Sequence, residues 1–356
     1  MVSVEAGVRP VSVSYARPGP DIALATTAYA RLKAEITGAG LLDRAYGFYL
    51  RLVLFDICGY LFSLGAIVYF ESYLALTLAC VAFVFFTVQL AGLMHDCGHR
   101  AIFSSIRANN ALGYVCSGLI GMSLDNWRER HNTHHAHPNQ DELDPDMEIP
   151  FVATTRDLYL KKSRLQRLFI SRQAFYYYPL GMIVAFSNRL GTLSYYRRTL
   201  SRRNAWQFAI YLCVLASLFV LPFVLFPLSK AIFVFLLVHL ASGVYLASCF
   251  APNHKGMAVV ANDASLPFIE QQVITARNIS GGFVTELFMV GLNHQIEHHL
   301  FPNTPRNKLH LLKPYVRRTC EELDIPYCEV GIVETNRMLV GELQDVARTG
   351  ALLTTR

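Results

Sequence analysis

The sequence predicts an all-α integral membrane protein: four transmembrane helices in two hairpins, with a cytoplasmic helical cap. Three observations predict it. Of the 356 residues, 53% are hydrophobic and only 16% are charged, where a soluble domain carries about 25% charged residues. The apolar residues are gathered into runs long enough to cross a bilayer. The basic residues collect between those runs rather than within them.

The elements follow in chain order. The first twenty residues lack a cleavable apolar core, so they read as a disordered arm containing Pro and Val rather than a signal peptide. Residues 1–45 form this arm and a cytoplasmic lead-in. Leu52 to Phe70 and Tyr73 to Met94 are apolar runs separated only by Glu71 and Ser72. At 1.5 Å per residue each is roughly 28–33 Å long, enough to span, and together they predict the first hairpin. Ala111 to Leu124 is apolar but too short to span, which predicts an interfacial or re-entrant helix. Ala205 to Phe226 and Ala231 to about Ala251, joined by Pro227 to Lys230, predict the second hairpin. The membrane domain thus covers 46–315, and 316–356 is read as a cytoplasmic tail.

Arg156, Lys161, Lys162, Arg164, Arg167 and Arg172 lie between the hairpins, as do five arginines from Arg189 to Arg203, whereas the hairpin loops hold only Lys230. The positive-inside rule then puts the central segment and both termini in the cytoplasm. The arginine clusters serve as a solvated face or as a basic skirt that meets anionic head groups. The net charge of +6 is modest, and no nucleic-acid partner is expected. Eight scattered cysteines without CxxC spacing fit a reducing compartment rather than a disulfide framework.

None of the twelve histidines precedes His95. HDCGH (His95, His99) ends the second run, and HNTHH (His131, His134, His135) lies in the central segment. Asn253 and His254 follow the fourth run, and HQIEHH (His294, His298, His299) lies beyond it. Four clusters remote in sequence therefore converge at one membrane face. Residues i and i+3 or i+4 share a helix face, so His95 pairs with His99, and His131 with His134 or His135. The adjacent pairs 134/135 and 298/299 point about 100° apart, so each pair serves two ions at once. One ion takes four to six ligands and these clusters offer at least eight imidazoles, which favours two metals. Cys97 points away from His95 and His99. Imidazole without thiolate suits iron, copper or zinc. His239, in mid-span, reads as an interhelical polar contact and His137 as a local hydrogen-bonding residue.

HDCGH, HNTHH and QIEHH, separated by paired apolar spans, resemble the three histidine boxes of the membrane fatty acid desaturases. The resemblance covers nearly all of residues 50 to 315. GLNHQIEHHLFP (291–302), preceded by QVITARNI (272–279), is most similar to the front-end branch, whose third box begins with Gln. It implies two non-haem irons, dioxygen as co-substrate, an acyl chain in a bent tunnel and a new cis double bond. It implies iron ligation by His95, His99, His131, His134, His135, His254, His298 and His299. Gln295 fills a position that is His in other branches, and His294 departs from the branch's usual aromatic. Asp96, Glu297 and the DELDPD run (141–146) are candidates for orienting the imidazoles.

The chemistry agrees with that resemblance, because unactivated C–H bonds need a metal–oxygen oxidant rather than acid–base side chains. Alternatives are a related diiron hydroxylase, a zinc-dependent membrane hydrolase, which would leave most of the histidines unexplained, and a metal transporter, which would place ligands near mid-membrane. Substrates expected are an acyl lipid, acyl-CoA or acyl-carrier protein. No histidine follows His310, so neither end of this sequence can form a bis-histidine haem domain. A separate ferredoxin or flavoprotein donor is expected, docking on the cytoplasmic face of a bacterial plasma membrane.

Overall fold

The computed structural model describes residues 19–354, without the side chains of the last two. The arm expected over the first eighteen residues lies outside the described residues. Just beyond it, Asp21 accepts from Leu24 N and caps helix α1 (Ile22–Gly38). Ala25, Ala28, Leu32 and Ile36 form its buried stripe, so a helix occupies what the sequence suggested was a lead-in.

The two apolar runs expected as the first hairpin are α2 (Tyr46–Tyr69) and α3 (Tyr73–Gly98), the latter running through most of HDCGH. The short apolar segment is α4 (Ile106–Ile120), which ends at Gly121 with φ +70°, a left-handed cap conformation that glycine adopts at little cost. Leu124, expected at the end of that helix, instead begins α5 (Leu124–Ala136), which Ser123 caps. The basic central segment forms four short helices, α6 (Arg156–Lys161), α7 (Arg164–Ile170), α8 (Gln173–Gly181) and α9 (Val184–Thr199).

The run expected as one helix over 205–226 is divided into α10 (Ala205–Phe219) and α11 (Leu221–Leu225). Pro222 lacks the N–H that would continue the ladder. α12 (Leu228–His254) is unbroken and carries Asn253 and His254 in its last turn. Among the described residues, three helices are long and apolar enough to cross a membrane: α2, α3 and α12. At the end away from the histidines, Lys230 Nζ donates to Val68 O (3.3 Å), Phe70 O (2.9 Å) and Glu71 Oε1 (3.0 Å). It thereby joins the loops of the two expected hairpins.

Past α12 come α13 (Phe268–Ile274), strand β1 (Asn278–Ser280), α14 (Phe283–Phe288) and α15 (Gln295–Leu300). α16 (Leu309–Glu322) runs through the boundary expected at 315/316. Strand β2 (Glu329–Gly331) pairs in parallel with β1, a small exception to an all-α fold. α17 (Ile332–Thr354) follows, and its Leu339 and Leu343 are buried with Val152 and Tyr177. One apolar core lies among the long helices. A second, under α1, α13, α15 and α16, grips the third histidine segment.

Candidate metal centre

Four elements deliver the imidazoles. The last turn of α3 supplies His95, with His99 as its C-cap, and α5 supplies His131, His134 and His135. The last turn of α12 supplies His254, and the buried α15 supplies His298 and His299. A Cβ on Gly98 would lie 2.2 Å from the Trp127 ring. That glycine lets Trp127 stack on His131, with ring centroids 4.2 Å apart.

The rings sort into two groups. One potential ligand nitrogen from each of His95, His99, His131 and His298 lies within 4.8 Å of the others, and the same holds for His134, His254 and His299. The adjacent pair 298/299 is divided between the groups. The pair 134/135 is divided too, because His135 Nε2 lies 3.0 Å from His131 Nε2 and 3.1 Å from His298 Nε2. His135 also stacks on His299 with ring centroids 4.2 Å apart, so the groups adjoin.

Neighbouring acceptors fix four tautomers. His95 Nδ1 faces Asp96 Oδ1 at 3.3 Å, and His134 Nδ1 faces the Asp144 carboxylate at 3.0 and 3.1 Å. His254 Nδ1 faces Thr275 O at 3.0 Å, and His299 Nδ1 faces Gln272 Oε1 at 2.9 Å. Gln272 is itself oriented, since its Nε2 donates to His135 O at 3.1 Å. Each of these four Nδ1 atoms therefore carries the proton, and each Nε2 presents a bare lone pair. His95, His99 and His299 have buried Nε2 atoms with no hydrogen-bond partner. The lone pairs of His134 and His254 converge at 3.3 Å. Buried acceptors facing one another are costly unless a cation lies between them, so this donor set fits metal ions. Burial, reinforced by repulsion from neighbouring imidazoles, holds His131, His135, His298 and His299 well below the ordinary imidazole range, which keeps them neutral.

The family model for fatty acid desaturases matches residues 71–331, a stretch that holds all eight of these histidines. This chain belongs to the fatty acid desaturase family. It is 29% identical over 305 residues to the acyl-lipid (9-3)-desaturase of Physcomitrium patens, covering 80% of this chain and 56% of that protein. It is 28% identical over 348 residues to the Delta(5) fatty acid desaturase fat-4 of Caenorhabditis elegans, covering 91% and 74%. With the acyl-lipid 8-desaturase of Rebecca salina it shares 31% identity over 263 residues, covering 70% and 59%. The chain thus spans less than two thirds of the moss and Rebecca proteins. These relatives are eukaryotic and lend no support to a bacterial plasma membrane.

Within this desaturase-family site, the other expected residues divide. Asp96 meets His95 and is itself held by Tyr49 Oη (3.0 Å) and Arg306 Nε (2.9 Å). Of the DELDPD run, Asp144 is the residue that hydrogen-bonds an imidazole. Burial, the largest single influence, pushes its carboxyl up, but the hydrogen bond and charge of His134, the charge of Lys255 and the Asp146 N–H together outweigh it and hold the carboxyl well below the usual carboxylate range. Asp146 pairs with Arg130, and Glu142 with Lys161. Glu297 does not orient an imidazole. It accepts from Asn278 Nδ2 at 2.6 Å and Tyr327 Oη at 2.7 Å, because it lies on the opposite face of α15. Gln295 joins the second group, with its Nε2 2.9 Å from His254 Nε2. His294 turns away, toward Glu286 at 3.3 Å. His137 bonds locally to Gln140, and mid-span His239 lies 3.5 Å from Arg189. Sequence reasoning missed Tyr49, Gln272, Thr275 and Arg306. Gln272 and Thr275 sit in the quoted QVITARNI segment, which was the available signal.

Proposed function

We propose that this chain is a membrane-bound non-haem diiron acyl desaturase that places a cis double bond in a long acyl chain. It consumes dioxygen, two protons and two electrons from a ferredoxin or flavoprotein and releases two waters. The observation that carries this reading is the pair of adjoining imidazole groups, in which the buried Nε2 atoms of His95, His99 and His299 lack hydrogen-bond partners.

In this reading His95, His99, His131, His135 and His298 hold one iron, and His134, His254 and His299 hold the other. Bound there, iron supplies the oxidising power to remove hydrogens from unactivated methylenes. The protein's part is to hold the ligands. Asp96 and Asp144 orient His95 and His134, Gln272 and Thr275 orient His299 and His254, and Gln295 reaches the second group from the side. Buried apolar surface holds the acyl chain at about 0.8 kcal/mol per methylene. The third box, QIEHH, supports a front-end preference, in which the new double bond falls on the carboxyl side of an existing one.

We further infer that α10 and α11 together make a fourth crossing, with the Lys230 side outside and the histidines and both ends cytoplasmic. The basic central segment and the Lys230–Glu71 link between the loops support this arrangement.

The test is turnover by purified protein given iron, dioxygen, a reduced ferredoxin or flavoprotein and a polyunsaturated acyl substrate. Mass spectrometry should show loss of two hydrogens and a new double bond. A hydroxylated product, or a protein that holds zinc and never iron, would overturn the reading.

A further inference from the structure

α1 roofs the third histidine box. Tyr29 donates to Leu300 O at 2.9 Å, stacks on Phe301 with ring centroids 5.5 Å apart and meets Phe268 edge-on at 5.1 Å. Beneath it lies a cavity of about 380 Å³ that reaches His135 and His299 and is flanked by Lys33. Cavities that take small organic ligands run from about 300 to 1,000 Å³. The other walls are mostly aromatic or aliphatic, and Lys33 is the one permanently charged residue lining the space.

Lys33 is exposed, and no acid pairs with it among the described residues. Its neighbours differ, since Arg31 pairs with Glu322 and Glu35 with Arg318. Those two ion pairs clip α1 to α16, which leaves the Lys33 ammonium as the free charge of that stretch. A compact cation at the rim, apolar walls, and candidate metal ligands at the inner end describe a receptor for an amphiphile. The complementary molecule has an anionic head and an apolar chain.

We propose that this cavity seats the head end of the acyl substrate, with Lys33 Nζ holding its carboxylate or phosphate and the chain running inward past His135 and His299. The inference rests on the desaturase reading and deepens it. Lys33 lies one helical turn from Tyr29, about 6 Å along α1, and the Tyr29 hydroxyl is bonded to the carbonyl next to His299. An anion held there brings carbons close to the head, rather than the far methyl end, to the histidines. The site of reaction is thus counted from the head group.

The experiment is photocrosslinking of the iron-loaded full-length protein in maltoside micelles. The probes are a diazirine-bearing unsaturated fatty acid, its coenzyme A thioester and its methyl ester. At least one anionic probe should label residues 29–42 or 300–303. Lys33→Glu should cut that labelling about tenfold and Lys33→Arg should restore it, while labelling by the methyl ester should not depend on Lys33. The anion that depends on Lys33 tells carboxylate from phosphate. Leu42→Trp, which fills the cavity and leaves the charge in place, should reduce labelling by all three probes. Labelling confined elsewhere, or no dependence on Lys33 for either anion, overturns the inference. So does slower reduction by the electron-donor protein in Lys33→Glu with labelling unchanged, which would assign the rim to the donor. Labelling needs no turnover, so labelling as expected without desaturation would sink the desaturase reading alone.

Discussion

Gln295 Nε2 lies 2.9 Å from His254 Nε2, and Asn253 Nδ2 donates to Gln295 Oε1 at 3.1 Å. Two neighbours thus orient the amide at the second imidazole group, while the adjacent His294 faces Glu286. Gln295→Ala should lose at least tenfold in turnover, and His294→Phe should stay within about twofold of the parent. Steady-state rates on one acyl substrate decide it, and the reverse order would assign the role to His294.

The division of the histidines makes metal content a site-by-site readout. Purified protein should hold about two irons per chain. His99→Ala should empty the first group and His254→Ala the second, each leaving about one iron and no desaturation. His137→Ala should keep both, because the His137 imidazole faces Gln140 and not the clustered rings. Elemental analysis settles the matter, and a full iron complement in His254→Ala would remove that residue from the ligand set.

Asp144 and Glu297 offer a contrast between two buried carboxylates. A hydrogen-bonded partner of a metal-ligating His is worth about 10–100-fold in metal affinity or activity. Asp144→Asn should therefore weaken iron binding by that order. Glu297→Gln should leave iron binding nearly intact and lower the melting temperature, since Glu297 ties α15 to Asn278 and Tyr327. Competition with a chelator measures the first effect and thermal unfolding the second.

Burial raises the carboxyl of Glu342 to about 7, with Asp345 adding repulsion against the attraction of Arg156 and Arg277. The native state then binds more protons than the unfolded chain between about pH 4.5 and 7, so this group's contribution to stability falls as pH rises through that window. Glu342→Gln should raise the melting temperature at pH 8 and give little or no gain at pH 5. A gain that did not depend on pH would show the carboxylate's charge to be irrelevant.

Single cysteines at Lys161 and Arg317 should label from the cytoplasm, and those at Glu71 and Ser229 from the opposite side. Lys161 labelled from outside would break the proposed topology.

The candidate metal residues were legible in the sequence because such chemistry imposes spacing. Helical geometry alone separates His298 from His299, and that separation is what the structure displays. The same geometry places Glu297 about 200° around α15 from Gln295, so its failure to touch an imidazole was also readable. The break between α10 and α11 carried a visible signal in Pro222. The helix at 22–38 and the β1–β2 pairing carried weaker ones, because both depend on partners hundreds or dozens of residues away. Tyr29, for instance, meets Leu300, and no local pattern encodes that contact.

Lys230 has a consequence for the far end of the molecule. α3 and α12 contain 26 and 27 residues, so each is about 40 Å long. Lys230, near the start of α12, fastens that helix to the end of α2 and to the loop that leads into α3, and at their other ends α3 and α12 carry histidines of different imidazole groups. The two helices also pack along their length, where the Tyr73 ring meets that of Phe233 and Gln89 Nε2 lies 3.4 Å from Tyr245 Oη. A substitution that shifted one helix against the other near Lys230 would therefore be felt a full helix length away, among the clustered imidazoles.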